Sequence, residues 1–93
     1  MKLLVAYDIS DNARRLAVAK RLQSLGLGRL QRSVFTGVGG LSRVKEVVRA
    51  VRPLIDWGTD CVLVLVVPEE SWRKAVILGT PYGRGAVGEA ALV

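Results

Sequence analysis

The sequence predicts a two-layer α/β sandwich in which two helices cover one face of an antiparallel sheet. Two apolar runs, residues 3–6 and 62–67, lie on either side of two stretches in which apolar residues recur every three or four positions. Short apolar runs bounded by turn residues are typical of buried strands, and the wider spacing is typical of helices with one buried face. Because each element must bury its apolar side against another, strands and helices in this order favour a layered fold.

The first strand is predicted from KLLVAYDIS, residues 2–10, in which Tyr7 and Asp8 end the apolar run. The last residues of a buried strand emerge at the rim of the sheet, where side chains meet solvent. We therefore expect Asp8 to be an exposed carboxylate at a fixed position, and it is our first candidate for chemistry. The alternative is that Asp8 is a helix N-terminal acid, which the helix dipole favours.

The first helix is expected to begin after Ser10 or Asp11, either of which can cap it, and to run to about Leu25. Gly26 is the expected helix stop, because glycine adopts the left-handed conformation that often ends a helix. Apolar side chains at helical spacing predict one buried face, and basic residues occupy the rest. The predicted buried positions are Leu16, Ala19, Leu22 and Leu25.

Residues 29–36 alternate between polar and apolar side chains, which indicates either one bent strand or two very short ones. The glycines of residues 37–40 follow. They lack the G-x-G-x-x-G spacing and the Lys-Ser/Thr of a phosphate loop, so a plain turn is favoured over a phosphate site. A second helix is expected over residues 42–56. Its predicted buried face consists of Val44, Val47, Val48, Val51 and Ile55.

The second apolar run, residues 62–67, predicts a strand that is buried on both faces and is ended by Pro68. Cys61 lies inside the longer apolar run CVLVLVV, residues 61–67, and is therefore expected to be a small buried hydrophobe. Because it is the only cysteine, a disulfide within the chain is excluded.

The C-terminal part is predicted to contain a helical turn at residues 69–74 and a last short strand at residues 75–78. This strand could extend the sheet of its own chain or that of a second copy, where it would cover an exposed edge and lock a dimer. We divide the chain into one domain, residues 1–79, and a tail, residues 80–93, that is mobile or ordered by a partner.

The charge composition indicates a polyanionic partner. Fourteen Lys and Arg against eight Asp and Glu leave a net charge of +6, and ten of the fourteen cations are arginine. Arginine makes two-point contacts with phosphate, and neutralising phosphates releases counterions, so nucleic acid is favoured over a membrane surface. The alternative is a basic protein with scattered, solvated cations.

Missing residue types limit the chemistry. The chain has no histidine, which excludes histidine-based acid–base catalysis and histidine metal sites. Any metal would have oxygen ligands, as Mg²⁺, Mn²⁺ and Ca²⁺ prefer. No apolar run approaches the ~20 residues of a membrane span, and the N-terminus lacks the pattern of a signal peptide. A cytoplasmic location with no membrane partner is therefore expected.

Several motifs together resemble one family. Tyr7 and Asp8 close the first strand, Arg15 lies in the first helix, Gly26 precedes Arg29, and Gln-x-Ser-Val-Phe occupies residues 31–35. At this spacing they resemble the small CRISPR-associated Cas-two family, which works beside the CRISPR integrase. The resemblance extends to the later apolar strand and the last short strand, and thus covers nearly the whole chain.

The resemblance implies a ferredoxin-like fold, a homodimer, and a role in spacer acquisition with the integrase subunit. It also implies a metal-dependent endonuclease acting on RNA or DNA, with Asp8 as the carboxylate that binds Mg²⁺, or Mn²⁺ in its place. Arg15 and Arg29 then belong to the catalytic positions, with Tyr7 and Phe35 as supporting residues. Some relatives carry a second arginine two positions after the one that matches Arg15, where this chain has Ala17.

The predicted nucleic-acid contacts are Arg14, Arg15, Arg29 and Arg32, with a solvated surface as the alternative. Tyr7 and Phe35 are also explained as core residues. One carboxylate binds Mg²⁺ weakly, so a two-fold axis that brings together the Asp8 residues of two copies would complete the site. A non-catalytic DNA-binding scaffold of the integrase complex is the alternative to a nuclease. A binder of small phosphate compounds at residues 37–40 is a third hypothesis.

Overall fold

The computed structural model describes residues 1–93 and confirms the two-layer sandwich. Two helices pack on one face of a four-stranded antiparallel sheet whose spatial order is second, third, first and fourth strand. The strands and helices in chain order are β1 (Lys2–Asp8), α1 (Asn12–Ser24), β2 (Gly28–Gln31), β3 (Val34–Val38), α2 (Leu41–Val51), β4 (Cys61–Val67), α3 (Glu69–Arg73), β5 (Val76–Ile77) and β6 (Ala91–Leu92). This topology is the ferredoxin-like arrangement.

Strand β1 lies inside the sheet, between β3 and β4. Its side chains alternate: Leu3, Val5 and Tyr7 are buried against the helices, and the side chains between them point to the opposite face. Because neighbouring residues of a strand point to opposite faces, Asp8 emerges on the face away from the helices. The position predicted for Asp8, exposed at the strand end, is confirmed.

Helix α1 begins and ends as predicted. The Asp11 side chain accepts a hydrogen bond from the backbone N–H of Arg14 at 2.9 Å, and Gly26 adopts a φ of +84° just after the helix. The prediction that Leu16 is buried is wrong, because the helix turns Val18, together with Ala19 and Leu22, toward the sheet. At 3.6 residues per turn, Leu16 then points away from that direction and is exposed.

Residues 29–36 form parts of two strands, β2 and β3, with a bulge between Arg29 and Gln31. Helix α2 is shorter than predicted: it ends at Val51, and a 3₁₀ turn, Arg52–Leu54, follows. Pro53 has no N–H to donate within a continuing α-helix, which accounts for this change. Val48 was predicted to be buried, but it is exposed because the sheet covers only the side of α2 that carries Val47 and Val51.

The prediction that the fourth strand is buried on both faces is wrong. Val62, Val64 and Val66 pack against the helix-side core, whereas Leu63 and Leu65, on the other face, are 55% and 46% exposed. The reason is that the helices cover only one face of the sheet. Cys61 was predicted to be buried, but it lies at the start of β4 on the uncovered face and is exposed. We call the apolar surface formed by Ala6, Leu63 and Leu65 the open face.

The tail covers the remainder of that side of the sheet. Trp72 of α3, Leu30 of β2 and residues Ala86, Val87 and Ala90 form a second apolar cluster. Two buried hydrogen bonds attach the tail: Thr36 Oγ1 donates to the Ala86 carbonyl at 2.6 Å, and Trp72 Nε1 donates to the Val87 carbonyl at 2.7 Å.

The last short strand, β5, pairs in parallel with β6 of the same chain. Residues 80–93 are therefore packed on their own chain in this single copy. The domain boundary at residue 79, the ordering of the tail by a partner and the exchange of the last strand with a second copy stay predictions. None of the helices is both long and apolar enough to cross a membrane.

Candidate functional site

Asp8 lies at the end of β1, directly opposite Cys61 of β4. Directly opposed residues of an antiparallel pair point to the same face, so the Asp8 carboxylate and the Cys61 thiol are neighbours. Both residues are exposed, and Ala6 and Leu63 form the next pair along the same face. The candidate carboxylate therefore stands at one end of the open face.

One chain supplies Asp8 without further metal ligands. The whole chain contains no group of three or more His, Cys, Asp or Glu side chains that could hold a metal ion. Mg²⁺ is held in proteins by one or two carboxylates together with substrate phosphates and water. Asp8 alone thus supplies one carboxylate of such a site, and this chain offers no cluster that would supply a complete set of protein ligands.

Arg15 is held against the loop that follows Asp8. Its Nη1 donates to the carbonyls of Ile9 and Ser10 at 3.0 and 3.1 Å, and its Nη2 contacts Asn12 Oδ1. Because Ile9 and Ser10 directly follow Asp8, these bonds place the Arg15 guanidinium near the C-terminal end of β1, where Asp8 lies. Arg15 lies near the predicted metal ligand and fixes the loop there.

Beside Tyr7, the residue before Asp8, three hydrogen bonds converge on one carbonyl. The backbone oxygen of Arg32 accepts from Tyr7 Oη at 3.2 Å and from Arg29 Nε and Nη2 at 3.0 and 2.8 Å. The Tyr7 backbone N–H also donates to the Ser33 carbonyl at 3.0 Å. The turn between β2 and β3 is thereby attached to the residue immediately before Asp8.

The Arg29 guanidinium lies over two aromatic rings. Its Cζ lies 5.4 Å from the centroid of the Phe35 ring and 4.6 Å from that of Tyr82. Phe35 is fully buried and its ring stacks on Tyr7 at 6.2 Å, so packing within the core explains both residues. Tyr82 was not among the predicted site residues; an aromatic side chain within a glycine-rich tail was the only sign of it.

The environment of Tyr7 alters its acidity. Burial raises the pKa of the Tyr7 hydroxyl, and the nearby positive charges of Arg29 and Arg15 partly offset this rise. The phenol is therefore protonated at neutral pH and acts as a hydrogen-bond donor to Arg32.

Arg14 does not join the hydrogen bonds that Arg15 and Arg29 form near β1. Its Nε and Nη2 donate to the Asp60 carboxylate, a partner that the sequence patterns did not reveal. Arg32 differs from it, because its side chain is exposed and forms no ion pair. Of the four predicted phosphate contacts, Arg15 and Arg29 thus bind backbone carbonyls of the segments next to β1, Arg32 is free at the surface, and Arg14 is engaged by Asp60, the residue before Cys61.

The glycines of residues 37–40 form no phosphate cradle. Gly37 lies in β3, where a Cβ would be 2.1 Å from a Leu27 side-chain carbon. Gly39 has a φ of +151° and donates its N–H to the Met1 carbonyl at 2.9 Å. The structure therefore places the turn at residues 39–40, between β3 and α2, and the prediction that Gly37 belongs to the turn is wrong because it pairs within β3.

Residues 1–75 match the family model described as CRISPR associated protein Cas2. The chain belongs to the Cas2 family. The matched segment contains Asp8, Arg15, Arg29 and Phe35, and it ends before Tyr82. The family predicted from the motif spacing is therefore confirmed, whereas the roles of the individual residues stay predictions.

Similar proteins cover most of this Cas2-family chain. The CRISPR-associated endoribonuclease Cas2 of Aeropyrum pernix is 44% identical over 77 residues, which span 83% of this chain and 84% of that protein. The protein of the same name from Thermofilum pendens is 39% identical over 75 residues, or 81% and 80% of the two chains.

Two crystal structures resemble the fold. Streptococcus pyogenes Cas2 at pH 6.5 has a TM-score of 0.70 and 26% identity, covering 85% of this chain and all of that one. The hypothetical protein TT1823 from Thermus thermophilus has a TM-score of 0.65 and 35% identity, covering 72% and 80%. Both agree with the ferredoxin-like arrangement described above.

Proposed function

We propose that this Cas2-family chain acts as a homodimer that binds nucleic acid and cleaves RNA at Asp8 with Mg²⁺. The observation that carries the proposal is the position of Asp8 at the exposed end of β1, with Arg15 bonded to the loop that follows it and Arg29 bonded to the β2–β3 turn that Tyr7, the preceding residue, also contacts. The names of the Aeropyrum and Thermofilum relatives, which call them endoribonucleases, support this choice of reaction.

The open face supports a two-fold dimer. Leu63 and Leu65 are large apolar side chains left in contact with water, and burying them would contribute about 25 cal/mol for each Å². Asp8 lies at the end of this face. A two-fold axis near that end would bring the matching carboxylate of a second copy alongside and complete the set of ligands.

The outer edge of β4 is a second point of contact. Strand β4 pairs only with β1, so its other edge presents unpaired backbone groups. Residues 75–78 of a partner could add a strand there, as the sequence predicted. In this single copy, β5 instead pairs with β6, so the exchange would require β5 to leave that pairing.

The reaction follows from the charges. When bound at the paired Asp8 carboxylates, Mg²⁺, or Mn²⁺ in its place, supplies Lewis-acid polarisation of the phosphate and a bound water of lowered pKa. Arg15 and Arg29 neutralise the charge that develops on the phosphate oxygens. Without a cation the two carboxylates repel each other, so closure of the pair and metal affinity depend on one another.

Binding of nucleic acid requires only the positively charged side chains, without the metal ion. Arg15, Arg29 and Arg32 contact phosphates without distinguishing bases, so duplex DNA is a possible ligand as well as RNA. The second candidate function is therefore a non-catalytic scaffold that holds DNA for the CRISPR integrase subunit during spacer acquisition in the cytoplasm. The net charge of +6 supports this role, because the attraction of the cations for phosphates does not depend on Asp8.

The deciding experiment compares the wild type with Asp8→Asn on single-stranded RNA and on duplex DNA, each with Mg²⁺ and with EDTA. We expect metal-dependent RNA cleavage that is lost in Asp8→Asn, while dimerisation and binding persist. Glu70→Gln is the matched control, because it removes another exposed carboxylate far from β1 in the chain. Cleavage that survives Asp8→Asn would overturn the catalytic assignment. Binding without any cleavage by the wild type would favour the scaffold.

A further inference from the structure

Tyr82 lies outside the segment that matches the Cas2 family model, yet it contacts one of the predicted site residues. Its ring centroid is 4.6 Å from Arg29 Cζ, closer than the ring of Phe35 at 5.4 Å. A guanidinium within about 6 Å of an aromatic ring face is attracted by the ring quadrupole. Tyr82 is 62% exposed, so it covers Arg29 from the solvent side, whereas Phe35 does so from the core.

The backbone around Tyr82 is held against β2. The Tyr82 N–H donates to the Leu30 carbonyl at 2.7 Å. At the next residue, Gly83, a Cβ would lie only 2.9 Å from the carbonyl oxygen of Arg29. Glycine at this position therefore permits a close approach of the two backbones, and the ring is placed over Arg29 by the chain on both sides of it.

Arg29 also fixes the turn between β2 and β3, which contacts Tyr7. Its Nε and Nη2 donate to the Arg32 carbonyl, which also accepts from Tyr7 Oη. A guanidinium has five N–H donors in one plane, so donation from Nε and Nη2 leaves others in that plane for a phosphate.

We propose that Tyr82 is a positioning residue: it holds the Arg29 guanidinium in the orientation in which it binds phosphate and, through it, the turn at Arg32. This inference rests on the proposed function, because it assumes that Arg29 contacts nucleic acid. It places a residue of the tail in the nucleic-acid site. Displacement of residues 80–93 by a partner would then weaken phosphate binding at Arg29.

The test is a double-mutant cycle on the full-length protein, with the dissociation constant for a single-stranded RNA measured by fluorescence anisotropy. Tyr82→Ala should weaken binding about two- to five-fold, the factor that corresponds to a cation–π contact at a partly exposed site. Tyr82→Phe keeps the ring and should bind like the wild type. In an Arg29→Ala background, Tyr82→Ala should cause no further loss.

Controls separate positioning from folding. Trp57→Ala removes another exposed aromatic ring that lies over an arginine, Arg52, and it should leave RNA affinity unchanged. Thermal unfolding checks that each variant is folded. The NMR signal of Arg29 Nε–H should shift in Tyr82→Ala and stay in place in Tyr82→Phe, since the ring current and the bond to Arg32 both act on that proton.

Two results would overturn the inference: equal losses from Tyr82→Ala with and without Arg29, or wild-type affinity in Tyr82→Ala. A wild type that binds no nucleic acid would defeat the proposed function, and this inference with it. Wild-type binding that is insensitive to Tyr82 would defeat the inference alone.

Discussion

Arg14 of α1 donates two hydrogen bonds to the Asp60 carboxylate, from Nε at 2.8 Å and from Nη2 at 3.3 Å. The Asp60 side chain is only 1% exposed, and it also accepts from the Asp56 N–H at 2.8 Å and the Thr59 hydroxyl at 3.1 Å. This pair joins the first helix to the residue that precedes β4. It also explains why Arg14, unlike the neighbouring Arg15, is engaged by a carboxylate and is not assigned to phosphate binding.

The Arg14–Asp60 pair predicts sensitivity to acid. The hydrogen bond from Arg14 lowers the pKa of the Asp60 carboxyl from 3.8 to about 2. Because the folded-state pKa is the lower one, the stabilisation is fully present above about pH 4 and is lost as the pH falls through about pH 2. Urea unfolding at a series of pH values should therefore show Asp60→Asn less stable than the wild type at pH 7, with the difference shrinking toward pH 2.

Glu70→Gln is the control for that series, because Glu70 is an exposed acid whose ion pair with Lys74 lies at the surface. Surface pairs of this kind contribute little to stability. A difference between the wild type and Asp60→Asn that stays constant from pH 7 to pH 2 would show that the Asp60 charge is not the source of the stabilisation.

Cys61 provides a built-in probe of the proposed dimer. It is exposed, it is the only cysteine, and it lies opposite Asp8. If the Asp8 residues of two copies face each other, the two thiols are also close, and a short bismaleimide should join two chains in high yield. A non-reducing gel measures this, and Cys61→Ser is the control. A dimer in sedimentation experiments that does not cross-link would place the two Asp8 residues apart.

The exposed Arg32 side chain should contribute a phosphate contact. Arg32→Ala should weaken binding to all sequences similarly and reduce the slope of log K against log salt by about one. Titrations at several salt concentrations with two unrelated RNA sequences measure both effects. Arg49→Ala, an exposed cation of α2, removes the same charge elsewhere and should leave the slope nearer to that of the wild type. Equal effects from both variants would indicate a diffuse charge effect instead of a site.

The buried hydrogen bond from Thr36 to the Ala86 carbonyl should stabilise the packing of the tail on the sheet. Thr36→Val keeps the shape but leaves the carbonyl without its donor, which costs about 1–3 kcal/mol. In a domain of this size, each kcal/mol lowers the unfolding midpoint by roughly 4–8 °C. Calorimetry measures the midpoint. Thr80→Val, at an exposed threonine of the tail, should change it little, and an unchanged midpoint in Thr36→Val would contradict this packing.

Most of the fold could be predicted from local patterns. The Asp11 cap, the Gly26 stop and the exposed end of β1 at Asp8 all follow from residues within one turn or one strand. The exposed Leu63 could not be predicted in the same way, because an apolar run does not say how many layers cover it. With helices on one side only, half of the β4 side chains face the open side.

In the candidate site, too, some features follow from local patterns and others from tertiary packing. By itself, the sequence determined the order of the elements and the family, and through its motif spacing it singled out Asp8, Arg15 and Arg29, since caps, periodicity and motifs depend on near neighbours. Only the tertiary structure decided that Arg14 belongs to Asp60, 46 positions away, and that Tyr82 covers Arg29. Such partnerships arise when packing brings distant surfaces together, and no local pattern contains that information.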